Sequence, residues 1–445
     1  YQLEKIVHTD ERNSTSLEES ASNSDSVYKT EAEEIERQAP TSIDDVLRQA
    51  PSATTARGPR SSGESIQVRG LDASKIFIMV DGARQNFRGG HTSMIPVDLE
   101  NLKDVEIYQS SSDFSKGNSL GGGIQFVTKD PEDYLINGED MGGEFKYQNN
   151  SANSESVYNA KNIFKTRSYS GLISLTSQNA NNMRLNNGDE LSNSAYEDFI
   201  GFIKLKKGKW SFSHESFRRN DNAPLDPSLN PPNSIQSLQA DSEMNKESTI
   251  LKYEEDDLLL NVYFNRLRIK KTEREEETVE LRSIKTTGAA IKKRWKSAQF
   301  GTEAYVDELD SDKKGSELTT YPKASSFNFS AYVENDFIYN QWTLSPGVRL
   351  NHYSMNSPGF EKKSAQEVSK KLKLSYALSE GLNIYGSYSE GFHSPKVSEV
   401  YPSGLHSPGD GWMVRDNYFM PNSELKHETS ANKEVGLNYK KFIFD

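Results

Sequence analysis

Seven histidines and no cysteine set the limits of the chemistry open to this 445-residue chain. Without a thiol there is no cysteine nucleophile, no thiolate-held zinc or iron–sulfur centre and no disulfide framework. Any metal chemistry falls to imidazole, phenol, thioether or carboxylate groups. The histidines are His8, His91, His214, His352, His393, His406 and His427. A neutral imidazole ligates a transition metal through one ring nitrogen, whereas a lone loop histidine is ordinarily a solvated polar side chain. Adjacent carboxylates occur at Asp44 with Asp45 and at Glu254 with Glu255. They stand where a helix starts and where a hairpin turns, which makes them solvated charges rather than an acid/base pair. No Walker-type loop is present to hold a nucleotide.

The elements that position these groups follow from composition and pattern. The charge balance is 53 basic against 65 acidic side chains, a net −12. That sign argues against a nucleic-acid partner, because phosphate contacts need a surplus of Lys and Arg on one face. No run of about 18 apolar residues exists, so no transmembrane helix is predicted, and Tyr1 does not open a signal peptide. The chain is expected to be either soluble or a processed mature chain that meets membrane another way. Only 34% of it is hydrophobic and its mean hydropathy is −0.78, yet it holds 21 Tyr and 20 Phe. A disordered chain would be poor in aromatics. Polar, aromatic-rich and helix-poor is the composition of a barrel whose lipid face takes only every second residue.

From about residue 141 the chain becomes a succession of segments of roughly ten residues in which apolar and polar side chains alternate. Phe327, Phe329, Ala331, Val333 and Phe337 share one face against Asn328, Ser330, Tyr332, Glu334 and Asp336. Leu372, Leu374, Tyr376 and Leu378 repeat the pattern, and it resumes after Ser379-Glu380-Gly381 with Leu382, Ile384 and Tyr388, a tight hairpin. The whole stretch reads as about fourteen strands, joined alternately by short and long connections. The short set includes 207–209, 254–257, 338–341 and 379–381; the long set lies near 179–196, 220–246, 307–325, 354–367 and 392–428. A soluble sandwich or solenoid also alternates along its strands but has no reason to sort loops by length. The predicted fold is mainly β: a transmembrane antiparallel barrel.

The first 140 residues follow another rule. Residues 26–50 read as helical and acidic, with Ser42 as N-cap and Asp45 three residues on. Strands are predicted at Ile66-Gln67-Val68-Arg69-Gly70, Ile76 to Val80, Val105-Glu106-Ile107-Tyr108 and Ile124-Gln125-Phe126-Val127-Thr128, a small α/β domain. Gly70 and Gly82 follow strands where the chain turns with positive φ.

These blocks carry a resemblance. Ser42-Ile43-Asp44-Asp45-Val46-Leu47, Ile66 to Gly70, Val80-Asp81-Gly82, Asp104-Val105-Glu106-Ile107 and Leu120-Gly121-Gly122-Gly123-Ile124 stand in the order and spacing of the plug of TonB-dependent outer-membrane receptors. The chain departs from that pattern at Ser110-Ser111-Ser112-Asp113, where the family usually has Gly-Pro. Leu3-Glu4-Lys5-Ile6-Val7-His8-Thr9 resembles the TonB box, which adds as a strand to an energising periplasmic protein. The linker from Asn13 to Ser26 has the Ser, Asn and Glu content of a mobile tether. The resemblance implies three regions: 1–25, TonB box and linker; 26–138, plug; 139–445, barrel. It also implies about twenty-two strands in a complete barrel, so the chain is expected to lack roughly eight C-terminal strands.

Within the family, the segment Arg84 to His91 resembles the place where haem receptors carry an axial histidine at the plug apex. Phe392-His393-Ser394-Pro395 resembles their Phe-Arg-Ala-Pro box, and Pro421-Asn422-Ser423-Glu424-Leu425 their Asn-Pro-Asn-Leu box. His406 lies between the boxes, where the family keeps its second haem ligand. The resemblance thus implies His91 and His406 as axial ligands, with His393, in the place of the family's Arg, as an alternative ligand or a strand cap. Tyr401, Trp412, Tyr418 and Phe419 are candidate pocket walls. Arg57, Arg60, Arg69, Arg84 and Arg88 are candidates for haem propionates or for plug-to-barrel contacts, the latter favoured for Arg69.

The function implied is a monomeric, non-enzymatic receptor in the outer membrane of a Gram-negative bacterium. It would bind haem, free or from a haem-carrying protein, and import it with TonB-transmitted energy, haem being cargo and not a catalytic cofactor. Two rivals stand beside it: a receptor for a ferric siderophore or another nutrient, and a surface adhesin or structural barrel without transport.

Overall fold

The computed structural model describes residues 27–56, 60–86, 94–135, 138–224, 227, 239–273, 278–314, 321–379, 381–407 and 416–439. The N-terminal part is built around a mixed sheet. Its strands are β1 (Val27–Glu31), β2 (Ala53–Ala56), β3 (Ser65–Val68), β4 (Leu71–Asp72), β5 (Phe77–Val80), β6 (Ala83–Arg84), β7 (Leu102–Tyr108) and β8 (Gly123–Thr128). The main sheet runs β1-β7-β8-β5-β6, with β5 and β8 parallel and the other neighbours antiparallel. Helices α1 (Ala32–Gln38) and α2 (Ile43–Leu47) lie beside it. Their buried side chains Ile35, Val46 and Leu47 close one core with Ile66, Val68, Ile78, Val80, Val105, Ile107, Ile124 and Phe126. Ser42 caps α2 as its sequence predicts: its hydroxyl accepts from the Asp45 amide, and the Asp45 carboxylate accepts from the Ser42 amide. Residues 27–31 correct the helical reading of 26–50. They pair with β7, because Val27 and Tyr28 extend a sheet edge that would otherwise lie open.

Two turns follow their chemistry. Arg69-Gly70 and Asp81-Gly82 both take positive φ, +50° and +78°, then +47° and +79°. Such paired left-handed residues close tight hairpins, and Gly82 also meets the barrel so closely that a Cβ there would lie 2.7 Å from the Asn261 amide.

The rest is one antiparallel path of strands: β9 (Met141–Asn150), β10 (Glu155–Lys165), β11 (Ser170–Ala180), β14 (Tyr196–Lys207), β15 (Trp210–Pro224), β16 (Gln239–Glu255), β17 (Leu258–Glu273), β18 (Val279–Trp295), β19 (Ala298–Lys314), β20 (Ala324–Asn335), β22 (Trp342–Asn356), β23 (Lys363–Ser379), β24 (Leu382–His393) and β27 (Glu428–Tyr439). These are the fourteen strands that the alternation predicts. Short pieces sit in the connections: β12 (Met183–Arg184) with β13 (Glu190–Leu191), β21 (Phe337–Tyr339) beside β22, and, between β24 and β27, α3 (Val397–Val400), β25 (Gly404–Ser407) and β26 (Asn417–Phe419).

The path is polar inside and apolar outside. On β20, Ser326, Asn328 and Ser330 are buried while Phe327 and Val333 are exposed. On β17, Asn261, Tyr263 and Asn265 are buried while Val262 and Phe264 are exposed. A water-soluble sandwich buries the opposite face, so this inversion marks a lipid-facing barrel. The strand ends that flank connections 208–209, 256–257, 296–297 and 380–381 lie at one rim, where β9 enters from the plug; those that flank 181–195, 225–238, 315–323 and 394–427 lie at the other. Trp210, Trp295 and Trp342 all stand exposed at the short-turn rim, as an interfacial aromatic belt requires. Strands β15, β16 and β19 run into the stretches 220–246 and 307–325 that read as long loops. No helix among the described residues is long and apolar enough to cross a membrane.

Candidate functional site

The site is assembled where the longest loop meets the plug. Strand β23 pairs with β24 only from Lys371/Ser389 downward, so the upper part of β24 is free to leave β23 and lean into the lumen. There the Phe392 amide donates to the Ser119 carbonyl at 3.1 Å, and the Ser394 amide to Asn118 Oδ1 at 3.1 Å. The Ser394 hydroxyl donates to Asn328 Oδ1 on the barrel wall at 3.1 Å. Gly391 permits this approach: a Cβ there would lie 2.8 Å from the Ser119 carbonyl oxygen and 2.9 Å from that of Leu120. Further down, the Ser430 hydroxyl donates to the Leu120 carbonyl at 2.5 Å.

The two sequence blocks flanking the loop converge. Phe392 packs in one buried cluster with Tyr353, Met355, Val400 and Tyr401, and Leu425 packs against it. The Asn422 amide donates to the Val400 carbonyl at 2.8 Å, and the Leu425 amide to the Asn422 carbonyl at 3.3 Å. Pro395 opens the turn into α3, and Pro421 precedes the residue that returns to it. These contacts clamp the base of the loop and hold above it the hairpin β25–β26, whose backbone carries His406 at an irregularity in register between Leu405 and Ser407.

The remaining candidate residues fall in distinct places. His393 ends β24, is 4% exposed, and has Nδ1 3.7 Å from the Glu428 carboxylate. It lines an open cavity between plug and barrel, together with Arg84, Gln85, Asn118, Asp307 and Asn328. Tyr401 is closed into loop packing, its ring 5.6 Å from that of Phe360 and its hydroxyl donating to the Glu361 carbonyl at 3.1 Å. Tyr418 is exposed, and Phe419 lies 6.4 Å from the Tyr321 ring. His91, Trp412, the segment Leu3 to Thr9, Arg57 and Arg88 lie outside the described residues, as does the side chain of His406. The residues flanking 87–93 are described: Asn86 donates to Asp307 at 3.1 Å, and Met94 packs against the Ile200, Phe217 and Leu267 cluster. Both points lie in the half of the lumen nearer the long loops. His214 bonds Thr249, and His427 stacks beside Phe392 with Nε2 3.2 Å from Glu367. His352 lies 6.4 Å from Phe327. Among the described residues no group of three or more His, Asp or Glu converges as a metal cage.

Of the arginines, Arg84, Arg69 and Arg60 all tie plug to barrel. Arg84 forms a two-point pair with Glu303, Arg69 bonds Glu434, and Arg60 bonds the Ser192 and Asn193 carbonyls. Sequence reasoning missed their partners and the rest of this polar contact: Lys246 with Glu215 and the Pro96 carbonyl, Arg219 with Asp198 and Ser61, and Asn265 with the Arg84 carbonyl. The signal was present as charged and amide residues at lumen-facing positions of strands. The neutral bonds of this set are worth only about 0.5–1.5 kcal/mol net and those to charged groups about 1.5–3 kcal/mol, because water replaces each on release. Burial pushes the Glu64 carboxyl up to about 7, helped by Asp44 and opposed by Arg219. Burial likewise raises Asp98 to about 7, with Glu215 adding to it.

Comparison with known proteins agrees with this architecture. The family model of the TonB dependent receptor-like β-barrel matches residues 98–445, and that of the TonB-dependent receptor plug domain matches residues 19–124. The chain is 26% identical over 442 residues to a "Hemin receptor" of Yersinia pestis, covering 91% of this chain and 63% of the relative. It is 25% identical over 464 residues to the "Heme/hemopexin utilization protein C" of Haemophilus influenzae, covering 89% and 65%. The chain therefore spans just under two thirds of the length of these relatives. Among solved structures it is similar to the Serratia marcescens hemophore receptor HasR in complex with HasA and heme, with a TM-score of 0.78 at 17% identity, covering 94% of this chain and 69% of that one. At that identity the likeness shows the fold. The chain belongs to the TonB-dependent receptor family of outer-membrane β-barrels, with the plug domain of that family folded inside its wall.

Proposed function

We propose that the protein is an outer-membrane receptor that takes up haem, free or from a haem-carrying protein, and passes it to the periplasm with energy from a TonB-type partner. One observation carries the reading. The Phe392–Pro395 and Pro421–Leu425 blocks close on each other and on plug residues Asn118 and Ser119, holding the His406 hairpin above the plug. The names of the relatives, which align over about nine tenths of the chain, support the same cargo.

In this reading His406 approaches from the loop and His91 from the plug. Each offers a neutral imidazole nitrogen to one haem iron, so binding weakens as the rings take up protons. Tyr418, Phe419 and Trp412 give the porphyrin apolar contact. His393, enclosed at the foot of the loop, acts on the strand end. Pulling on Leu3 to Thr9 would exchange the polar plug contacts for water. The protein binds and translocates without catalysing a reaction, as a monomer in the outer membrane of a Gram-negative bacterium.

The test is growth on haemin as sole iron source, with and without deletion of Leu3 to Thr9 in the full-length protein. The proposal predicts that deletion abolishes growth while haemin binding by intact cells persists. Growth unaffected by the deletion favours a non-transporting barrel, and absence of haemin binding to the undeleted receptor favours a different cargo such as a ferric siderophore.

A further inference from the structure

Above its apolar belt the lipid face of β15–β18 changes chemistry. Alternate residues of a strand share a face. Arg266 and Arg268 therefore lie on the face of Val262 and Phe264, which are 52% and 38% exposed. By the same parity Arg218 shares the face of Trp210 and Phe212, and Lys285 that of Ile291. The register sets these side chains in adjoining rows: Arg218, Asn245, Arg268 and Ser283 in one, and Ser216, Glu247, Arg266 and Lys285 in the next towards the belt. Below them come the rows of Phe264 and then Phe212, Leu251 and Val262.

The height of the cluster follows from strand geometry. Arg218 is eight residues along β15 from Trp210 at the short-turn rim, and Lys285 ten along β18 from Trp295. At about 3.3 Å per residue and a tilt near 40°, these are rises of roughly 20 and 25 Å, the full height of a barrel's apolar band. The basic groups thus sit at the headgroup level of the outward leaflet.

Their protein partners do not account for them. Lys270 pairs with Glu243 at 3.2 Å and Lys285 leans to Glu308 at 3.9 Å. Among the described residues Arg218, Arg266 and Arg268 form no ion pair, although Glu247 stands in the row of Arg266. The Arg266 Nε is shielded from water with no hydrogen-bond partner. The patch is bounded: Phe199 follows Arg218 on one side, and Asp310 and Glu308 follow Ser283 and Lys285 on the other. Three unpaired guanidinium groups beside hydrocarbon match a ligand with an oxyanion head and acyl chains, and the arginine fork suits phosphate in two-point contact.

We propose that this patch is a binding site for a phosphorylated lipid of the outward leaflet. Arg218, Arg266 and Arg268, with Lys285, hold its phosphate groups, and its acyl chains lie along Phe212, Leu251, Val262 and Phe264. The site is independent of the cargo.

The test uses full-length protein in detergent and native mass spectrometry, with diphosphoryl lipid A, its dephosphorylated counterpart and inorganic phosphate as probes. Wild-type protein is expected to retain the phosphorylated lipid and not the dephosphorylated one. Each single Arg→Gln change should weaken retention roughly five-fold, the triple R218Q/R266Q/R268Q should abolish it, and Arg268→Lys should keep most of it. Should the triple variant misfold, Arg268→Gln alone, on the exposed rim, still reports the loss. Retention undiminished in either Gln variant, equal retention of the dephosphorylated lipid, or full displacement by inorganic phosphate at the lipid's own concentration would overturn the proposal.

Discussion

Arg84 on the plug and Glu303 on the barrel wall are joined at two points, Nε to Oε1 and Nη2 to Oε2, each at 2.7 Å, with both side chains at least nine-tenths buried. Arg84 also donates to the Lys116 carbonyl at 2.5 Å, and its guanidinium lies 5.0 Å from the Tyr305 ring. A pair so enclosed is costly to break from one side, because the surviving charge is left without its partner. Glu303→Gln should therefore weaken plug seating by about 3–5 kcal/mol, read as faster hydrogen exchange in β5–β8. Replacing both, as Arg84→Met with Glu303→Leu, should exchange more slowly than Glu303→Gln alone. Equal exchange in wild type and Glu303→Gln would show that the pair does not seat the plug.

Glu64 gives the seating a pH dependence. Its carboxyl is held up at about 7 in the docked plug, against about 4.5 when free, so the docked state binds the proton more tightly. Stability from this group is full below about pH 4.5 and is lost as pH rises towards 7. Glu64→Gln should leave stability at pH 4 unchanged and raise it at pH 8, by an amount on the order of 2 kcal/mol. Urea unfolding of both proteins at the two pH values checks the sign; a variant less stable than wild type at pH 8 contradicts it.

The approach of β24 to the plug depends on Gly391. Gly391→Ala puts a methyl against the Ser119 and Leu120 carbonyls and should cost about 1–3 kcal/mol, since neither backbone can yield cheaply. The expected signature is local: exchange of the Phe392 amide accelerates while that of β15–β18 stays as in wild type. Uniform acceleration would mean that the contact is not a separate latch.

The inverted burial of the strands makes another claim on measurement. Val262→Arg, in the middle of the lipid face, should destabilise the barrel by about 2–4 kcal/mol in lipid vesicles. Loss of less than 1 kcal/mol would argue that this face does not meet hydrocarbon.

Much of this was legible in the chain. Alternation at Phe327 to Glu334 and at Leu372 to Leu378 gives strand and face together, because one side must tolerate lipid. The plug was legible through short blocks whose turns demand glycine, as at Gly70 and Gly82. Strand ends were less so. Asp241, Glu243, Asp310 and Asp312 read as loop because both faces are polar, yet beyond the membrane a strand needs only its ladder bonds, and β16 and β19 continue through them. Val27 to Glu31 read as helix because acidic residues surround it, while its pairing with β7 is a contact across some eighty residues of chain. The partners of Arg84 and Phe392 lie 219 residues away at Glu303 and far back in the chain at Ser119. Nothing local marks such pairs.

The most direct measurement is an absorbance titration of the full-length receptor with haemin, compared with the His91→Ala/His406→Ala double variant. The account predicts a saturable low-spin porphyrin band in the wild type that is lost in the double variant, with each single variant giving a weaker band of altered position. An identical band in wild type and double variant, or none in either, would contradict the assignment of haem to these two imidazoles.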